Sequence, residues 1–293
     1  METIELRIGG IDFGIEASPP LDARLRRRYG DFARPRGPAE GTPRLRIDAL
    51  LADGPVEPAR LPSVRLEDGA DGRLSIRGDC CASLDLQAGY GRVTRGDGLA
   101  GVDTLVRLSL SLLAPAEGWV LFHGAIVQLA TGNWALLLGR SGAGKSTAAR
   151  AFVSYCDELV LARWDRDAAE AASTPYWNGT PGRASCEAIV CLERSETPAS
   201  RLLRGGEAVR ALLPHPVRHV RREADDRVLF SRLLELAEGV PVLSARLIPG
   251  RSYVARLGAE LERQGFAPRW RTPGAEELAM PEPGLRQGGC SWL

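Results

Sequence analysis

Gly139-Arg140-Ser141-Gly142-Ala143-Gly144-Lys145-Ser146-Thr147 is the stretch on which the reading of this chain turns. It fits G-x-x-x-x-G-K-[ST], a loop whose backbone N–H groups cradle phosphates. Lys145 is the one lysine in the sequence; the other 37 of its 38 Lys and Arg side chains are arginine. A solvated surface tolerates arginine for lysine at little cost. A compact ammonium that must reach between two phosphates resists the exchange, because a guanidinium is wider and planar. The single lysine therefore marks a position where chemistry holds the residue type.

The flanks agree. Trp134-Ala135-Leu136-Leu137-Leu138 is an apolar run of buried-strand length, and the glycines follow at once. Residues 146–153 then consist mostly of good helix formers. A loop leading into a helix N-terminus favours bound negative charge. Gly139, Ser141, Gly142, Ala143, Gly144, Lys145, Ser146 and Thr147 are thus the nucleotide-binding candidates. Lys145 is expected at the β- and γ-phosphates and the Ser146 hydroxyl on Mg²⁺, which makes ATP and Mg²⁺ the expected cofactors.

Composition sets the bounds. At 293 residues the chain holds one large domain or two modest ones, and 44% apolar with 26% charged residues is ordinary for a globular protein. A net charge of +1 gives no general affinity for nucleic acid or membrane. Arginines do cluster at Arg24, Arg26, Arg27 and Arg28 and at Arg218, Arg221 and Arg222. Such a run is either a solvated helix face or a docking surface for an acidic peptide or phosphates. The N-terminus opens on acid and lacks the pattern of a signal peptide, and no apolar stretch is of bilayer-spanning length. A cytoplasmic location is expected, with the six cysteines reduced and no C-x-x-C pair to hold zinc. A homo-oligomer is compatible with the sequence.

Three regions emerge. Residues 1–98 read as a β-rich N-terminal domain, with alternation at 4–8, 45–48, 74–77 and 82–86 and a helix over 21–29. Residues 99–267 read as the P-loop domain. It begins with a broadly apolar helix over 99–114, followed by a strand over 119–129 and a turn at Thr131-Gly132-Asn133 into the strand before the glycine loop. Farther on come strands at 159–163, 188–194 and 240–247 and helices at 206–213 and 226–238. Residues 268–293 form a Pro/Gly-rich tail.

Taken in order, Phe122-His123-Gly124, the hairpin, residues 139–147, Asp157-Glu158-Leu159-Val160, Thr174-Pro175-Tyr176-Trp177 and Ile189-Val190-Cys191-Leu192-Glu193 resemble the HPr kinase/phosphorylase superfamily. That superfamily shares its P-loop fold with ATP-dependent phosphoenolpyruvate carboxykinase. Among its members the chain is most similar to kinases of biosynthetic clusters, including those that tailor lasso-peptide precursors. The resemblance implies an α/β fold of that type with a β-rich N-terminal layer. It also implies transfer of the γ-phosphate of ATP to a hydroxyl, most readily a Ser of a peptide or small-protein acceptor. A small-molecule acceptor, or a nucleotide-binding regulator without turnover, is the alternative.

By the same resemblance His123 matches the family's histidine upstream of the P-loop and is expected near the transferred phosphate. Asp157 and Glu158 match its acidic pair, with Asp157 as the base and both acids near Mg²⁺. The expected catalytic set is then Asp157, His123 and Lys145, and the expected metal set Ser146, Asp157 and Glu158. Two departures stand out. The segment from Lys145 to Asp157 is several residues shorter than in the family, which requires a short P-loop helix or a displaced Asp157. Glu158 also stands where the sugar-uptake regulators of that superfamily carry a second Asp. Asp165 and Asp167 are the fallback acids, and Arg163 or Arg183 could add positive charge. Tyr176 and Trp177 either offer a flat surface to the acceptor or belong to the core.

Overall fold

The computed structural model describes residues 3–34, 43–50, 65–69, 72–77, 80–176, 179–220, 222–250 and 252–271. Two mixed sheets are joined by one long helix. Strands β1 (Thr3–Ile8) and β2 (Ile11–Ala17) form a hairpin, followed by α1 (Pro19–Tyr29), a short 3₁₀ turn, β3 (Leu45–Ala49), β4 (Arg65–Asp68), β5 (Leu74–Arg77), β6 (Cys80–Asp85) and β7 (Tyr90–Gly96). They build a seven-stranded sheet in the order β1-β2-β3-β7-β6-β5-β4.

Helix α2 (Gly98–Leu113) carries Asp97 as its N-cap, the carboxylate accepting from the Leu99 N–H at 3.0 Å. The broad apolar surface of α2 follows from its position. It packs on β3, β6 and β7 on one side and on β8 (Val120–Gln128) on the other. Leu105, Val106 and Leu110 of α2 share one core with Ile15 and Ile47 of the first sheet and with Leu121, Leu161 and Tyr176 of the second region.

The second sheet continues with β9 (Trp134–Gly139), α3 (Lys145–Ala151), β10 (Ser154–Cys156), β11 (Leu159–Asp165), β12 (Ala168–Ser173), β13 (Arg183–Arg194) and β14 (Ala199–Leu203). It ends with α4 (Gly206–Leu212), α5 (Glu223–Gly239), β15 (Val242–Leu247) and α6 (Tyr253–Arg263). Its pairings close a ring: β8 pairs β11, β11 pairs β12, β12 pairs the start of β13, the rest of β13 pairs β9, and β9 returns to β8. Strand β9 is apolar throughout because both of its faces are covered. Leu136 and Leu138 pack with β11, α4 and α5 residues, whereas Ala135 and Leu137 pack with α3 and α6 residues.

Residues 268–271, at the head of the Pro/Gly-rich segment, are held against this unit. Pro268 bridges Leu129, and Trp270 bridges Phe152. The Arg269 N–H donates to Gln128 at 2.7 Å, and the Arg269 carbonyl accepts from Val153 at 2.8 Å. The Trp270 ring stands edge-on to Phe152, with centroids 4.8 Å apart, so this strap braces the end of α3. The rest of that segment, like Trp177, Arg221 and Cys290, lies outside the described residues.

Candidate functional site

Strands β9, β13 and β15 run parallel, with Leu192 opposite Gly139 and Arg194 opposite Leu247. Their carboxyl ends therefore open on one side of the sheet, which is where α/β proteins place ligands. The glycine loop leaves β9 at that edge. Gly139 is confined there: a Cβ would stand 2.7 Å from the Leu192 carbonyl oxygen and 2.8 Å from the Ala143 Cβ. Gly144 has φ +104°, and a Cβ would fall inside the Tyr253 ring. The Tyr253 hydroxyl donates to the Ala143 carbonyl at 2.8 Å, so the first residue of α6 fixes the loop from outside the motif.

Lys145 is 6% exposed. Its Nζ donates to the carbonyls of Gly139 at 2.6 Å and Arg140 at 3.3 Å, which folds the side chain back along the loop. Burial lowers its pKa, and the nearby Asp157 carboxylate acts in the opposite direction. Helix α3 is short, one of the two outcomes that the short Lys145–Asp157 spacing allows. Asp157 is not displaced by it. The Ser146 hydroxyl lies beside the carboxylate and favours its charged form, as do the nearby Arg150 and Lys145. Burial nonetheless raises the Asp157 pKa, and its Oδ1 is buried without a hydrogen-bond partner.

Glu158 turns elsewhere. Its Oε1 lies 3.2 Å from Arg107 Nη1 of α2, and its Oε2 is buried without a partner. Arg107 lies over the Tyr176 ring, 4.3 Å from the centroid. Tyr176 donates to the Asp103 carbonyl at 3.3 Å, and the Asp103 carboxylate accepts from Tyr29 of α1. A buried polar chain thus runs from the acidic pair to the N-terminal layer.

This network decides between the two readings for Tyr176, while Trp177 lies outside the described residues. Thr174 and Tyr176 are fully buried, with Thr174 Oγ1 bonded to the Leu159 carbonyl at 2.5 Å. Neither can offer a surface to an acceptor. The two extra arginines also serve elsewhere. Arg163 pairs with Glu170 at 2.8 Å and Asp165 at 2.6 Å, Arg183 pairs with Glu170, and both stack on Trp119. Asp165 ends β11, and seven strand residues separate that end from Asp157 by roughly 20 Å, which removes Asp165 and Asp167 from the loop.

His123 sits on β8 opposite Leu159 and is an exposed residue whose imidazole is partly desolvated. Its N–H donates to the His215 carbonyl at 3.1 Å. His215 was not singled out in the sequence; only its place in Leu213-Pro214-His215-Pro216, where prolines end a helix, hints at a fixed position. Both imidazoles are pushed down to about 4, first by partial desolvation and then by the Lys145 ammonium, so both are neutral at pH 7. Neighbouring His123 and Arg140 depress His215 further.

The residues fit a nucleotide with Mg²⁺ on two observations. The glycine loop turns so tightly that a Cβ at Gly139 or Gly144 would strike neighbouring protein atoms, which keeps its backbone bare of side chains, and Asp157, beside Ser146, has one buried carboxylate oxygen without a partner. Among the described residues no cluster of three His, Cys, Asp or Glu side chains could hold a metal. Mg²⁺ at Ser146 and Asp157 would therefore take most of its ligands from phosphate and water, its usual habit.

The thiols of Cys186 and Cys191 are buried and pushed up to about 12, which suits core packing. No helix among the described residues is long and apolar enough to cross a membrane.

No family profile and no curated protein matches the chain. Among solved structures it is similar to the Hpr(Ser) kinase/phosphatase from Coxiella burnetii, at 11% identity and a TM-score of 0.31. That overlap covers 50% of this chain and 95% of the other. At that similarity the functional reading rests on the residues of the site.

Proposed function

We propose that this chain is an ATP- and Mg²⁺-dependent phosphotransferase acting on a hydroxyl, most readily a Ser of a peptide or small protein. The observation that carries the reading is the Ser146–Asp157 pair beside buried Lys145, at the mouth of a loop built around Gly139 and Gly144. The loop N–H groups would hold the β-phosphate, and Lys145 would exchange its two carbonyl contacts for phosphate oxygens. Mg²⁺, when bound, neutralises charge on the phosphates.

Asp157 orients the acceptor hydroxyl or takes its proton. A carboxyl whose pKa is raised by burial is a better proton acceptor than one in water. Ser146, beside it, favours the charged carboxylate. His123 and His215, neutral at pH 7, line the open side and can accept or donate a hydrogen bond without adding charge. Glu158 we assign to positioning through Arg107 and not to the metal. The peptide acceptor rests on the ordered landmarks of the sequence, and a biosynthetic precursor peptide is the substrate class they favour.

The test is mass spectrometry of precursor peptides and a panel of hydroxylated metabolites after incubation with the protein, ATP and Mg²⁺. A phosphate gained on a peptide Ser is the expected result. A phosphate gained only on a metabolite would move the protein to the small-molecule kinases. No transfer to any acceptor would remove the catalytic reading.

A further inference from the structure

The end of β13 carries a feature outside the motif. Because Leu192 lies opposite Gly139, Glu193 and Arg194 continue past the point where β9 breaks into the glycine loop. A Cβ built on Gly142 would stand 3.4 Å from Arg194 Nη2, 3.6 Å from Cζ and 3.9 Å from Nη1. The guanidinium therefore lies across the Gly142 α-carbon, at a residue with φ +78°. Arg194 is exposed and, among the described residues, makes no hydrogen bond or ion pair. Its close titratable neighbour is Tyr253, which closes the loop from the start of α6.

An arginine left unpaired over an anion-binding loop has a natural complement in a phosphate oxygen pair, which a planar fork can grip in bidentate fashion. Resting on the nucleotide reading above, we propose that Arg194 is a second cation of the site and contacts the terminal phosphates of the bound nucleotide. The three parallel strands then each supply one part at their carboxyl ends: the glycine loop from β9, Arg194 from β13 and Tyr253 after β15.

Calorimetric titration of ATP, ADP and AMP with Mg²⁺ into wild type, Arg194→Met and Arg194→Lys tests this, with thermal melts confirming the fold. Losing a charge-assisted contact should weaken ATP and ADP by about tenfold or more in Arg194→Met and change AMP by less than about twofold. Arg194→Lys should recover part of the loss. Unchanged ATP and ADP affinity in Arg194→Met, or an equal loss for AMP, would overturn the proposal. If wild type itself binds none of the three nucleotides, the nucleotide reading fails first, a result distinct from failure of the Arg194 assignment alone.

Discussion

At the Trp119 end of the strand ring, Arg163, Arg183, Asp165 and Glu170 satisfy one another over an indole. At the Gly139 end, Lys145 leans on two carbonyls, Arg194 has no partner among the described residues, and Asp157 and Glu158 each bury an unpaired oxygen. Strands β11 and β13 run between the two ends, and each end holds four of the charged groups just named. The first spends its charges on itself, as a structural cluster does. At the second, Glu158 meets Arg107 through one oxygen only, and the other groups keep unused bonding capacity beside the glycine loop, which supports the site proposed above. Counting charged residues would not separate the two; asking which charges lack partners does.

Substitution at matched positions is the sharpest way to break this contrast. Asp157→Asn should lower kcat by roughly two orders of magnitude or more while leaving nucleotide affinity near wild type. Asp165→Asn should leave kcat unchanged. The reverse pattern, read by steady-state kinetics, would put the acid at the wrong end. Asp157→Asn should also raise the melting temperature of the nucleotide-free protein. A carboxyl whose pKa is raised by folding destabilises the native state once pH exceeds the usual carboxylate range, and the amide removes that penalty.

Gly144→Ala comes next. It places a methyl in the Tyr253 ring at a positive φ, and a cost of about 2 kcal/mol or more is expected in chemical denaturation. A variant as stable as wild type would mean that the loop is not clamped. Arg163→Met should cost only about 1 kcal/mol and leave nucleotide affinity untouched, because it weakens the self-satisfied end. A matching fall in affinity would show that the two ends are not independent.

The smallest effect is in pH. His123 and His215 titrate lower in the fold than free histidine, so they support the native state above about 6.5 and withdraw that support as pH falls toward about 4. Melts across that window should show a decline that His215→Asn makes shallower. An identical slope would remove His215 from the Lys145 neighbourhood.

Much of this was legible in the chain. The glycine motif with its lone lysine located the loop, and apolar 134–138 located a strand covered on both faces. The broad apolar surface over 99–114 marked a helix covered on more than one side, which α2 is. Other parts lay in the pattern but not in the expected elements. Strand β2 alternates through Ile11, Phe13 and Ile15, and α6 places Tyr253, Leu257 and Leu261 on one face. Strand β12 could not be read locally: Ala168-Ala169-Glu170-Ala171-Ala172 favours helix, and pairing between β11 and β13 overrides it.

The site divides in the same way. Tyr176 looked like a loop aromatic, yet it is held by Asp103 and Arg107, some 70 residues away in sequence. Arg194 carries no local signal, because strand register brings it to the loop, and His215 carries only its flanking prolines, its place being set by the His123 backbone contact. What folding adds is the partnership of each charge, and a one-dimensional pattern does not contain that.

Isothermal titration of Mg²⁺ and ATP into wild type and Lys145→Ala tests the central claim most directly. Wild type should bind, and the variant should keep its fold while losing affinity roughly 10- to 100-fold with the charge-assisted phosphate contacts. Equal affinity in the two proteins would contradict the assignment of this loop as the phosphate site.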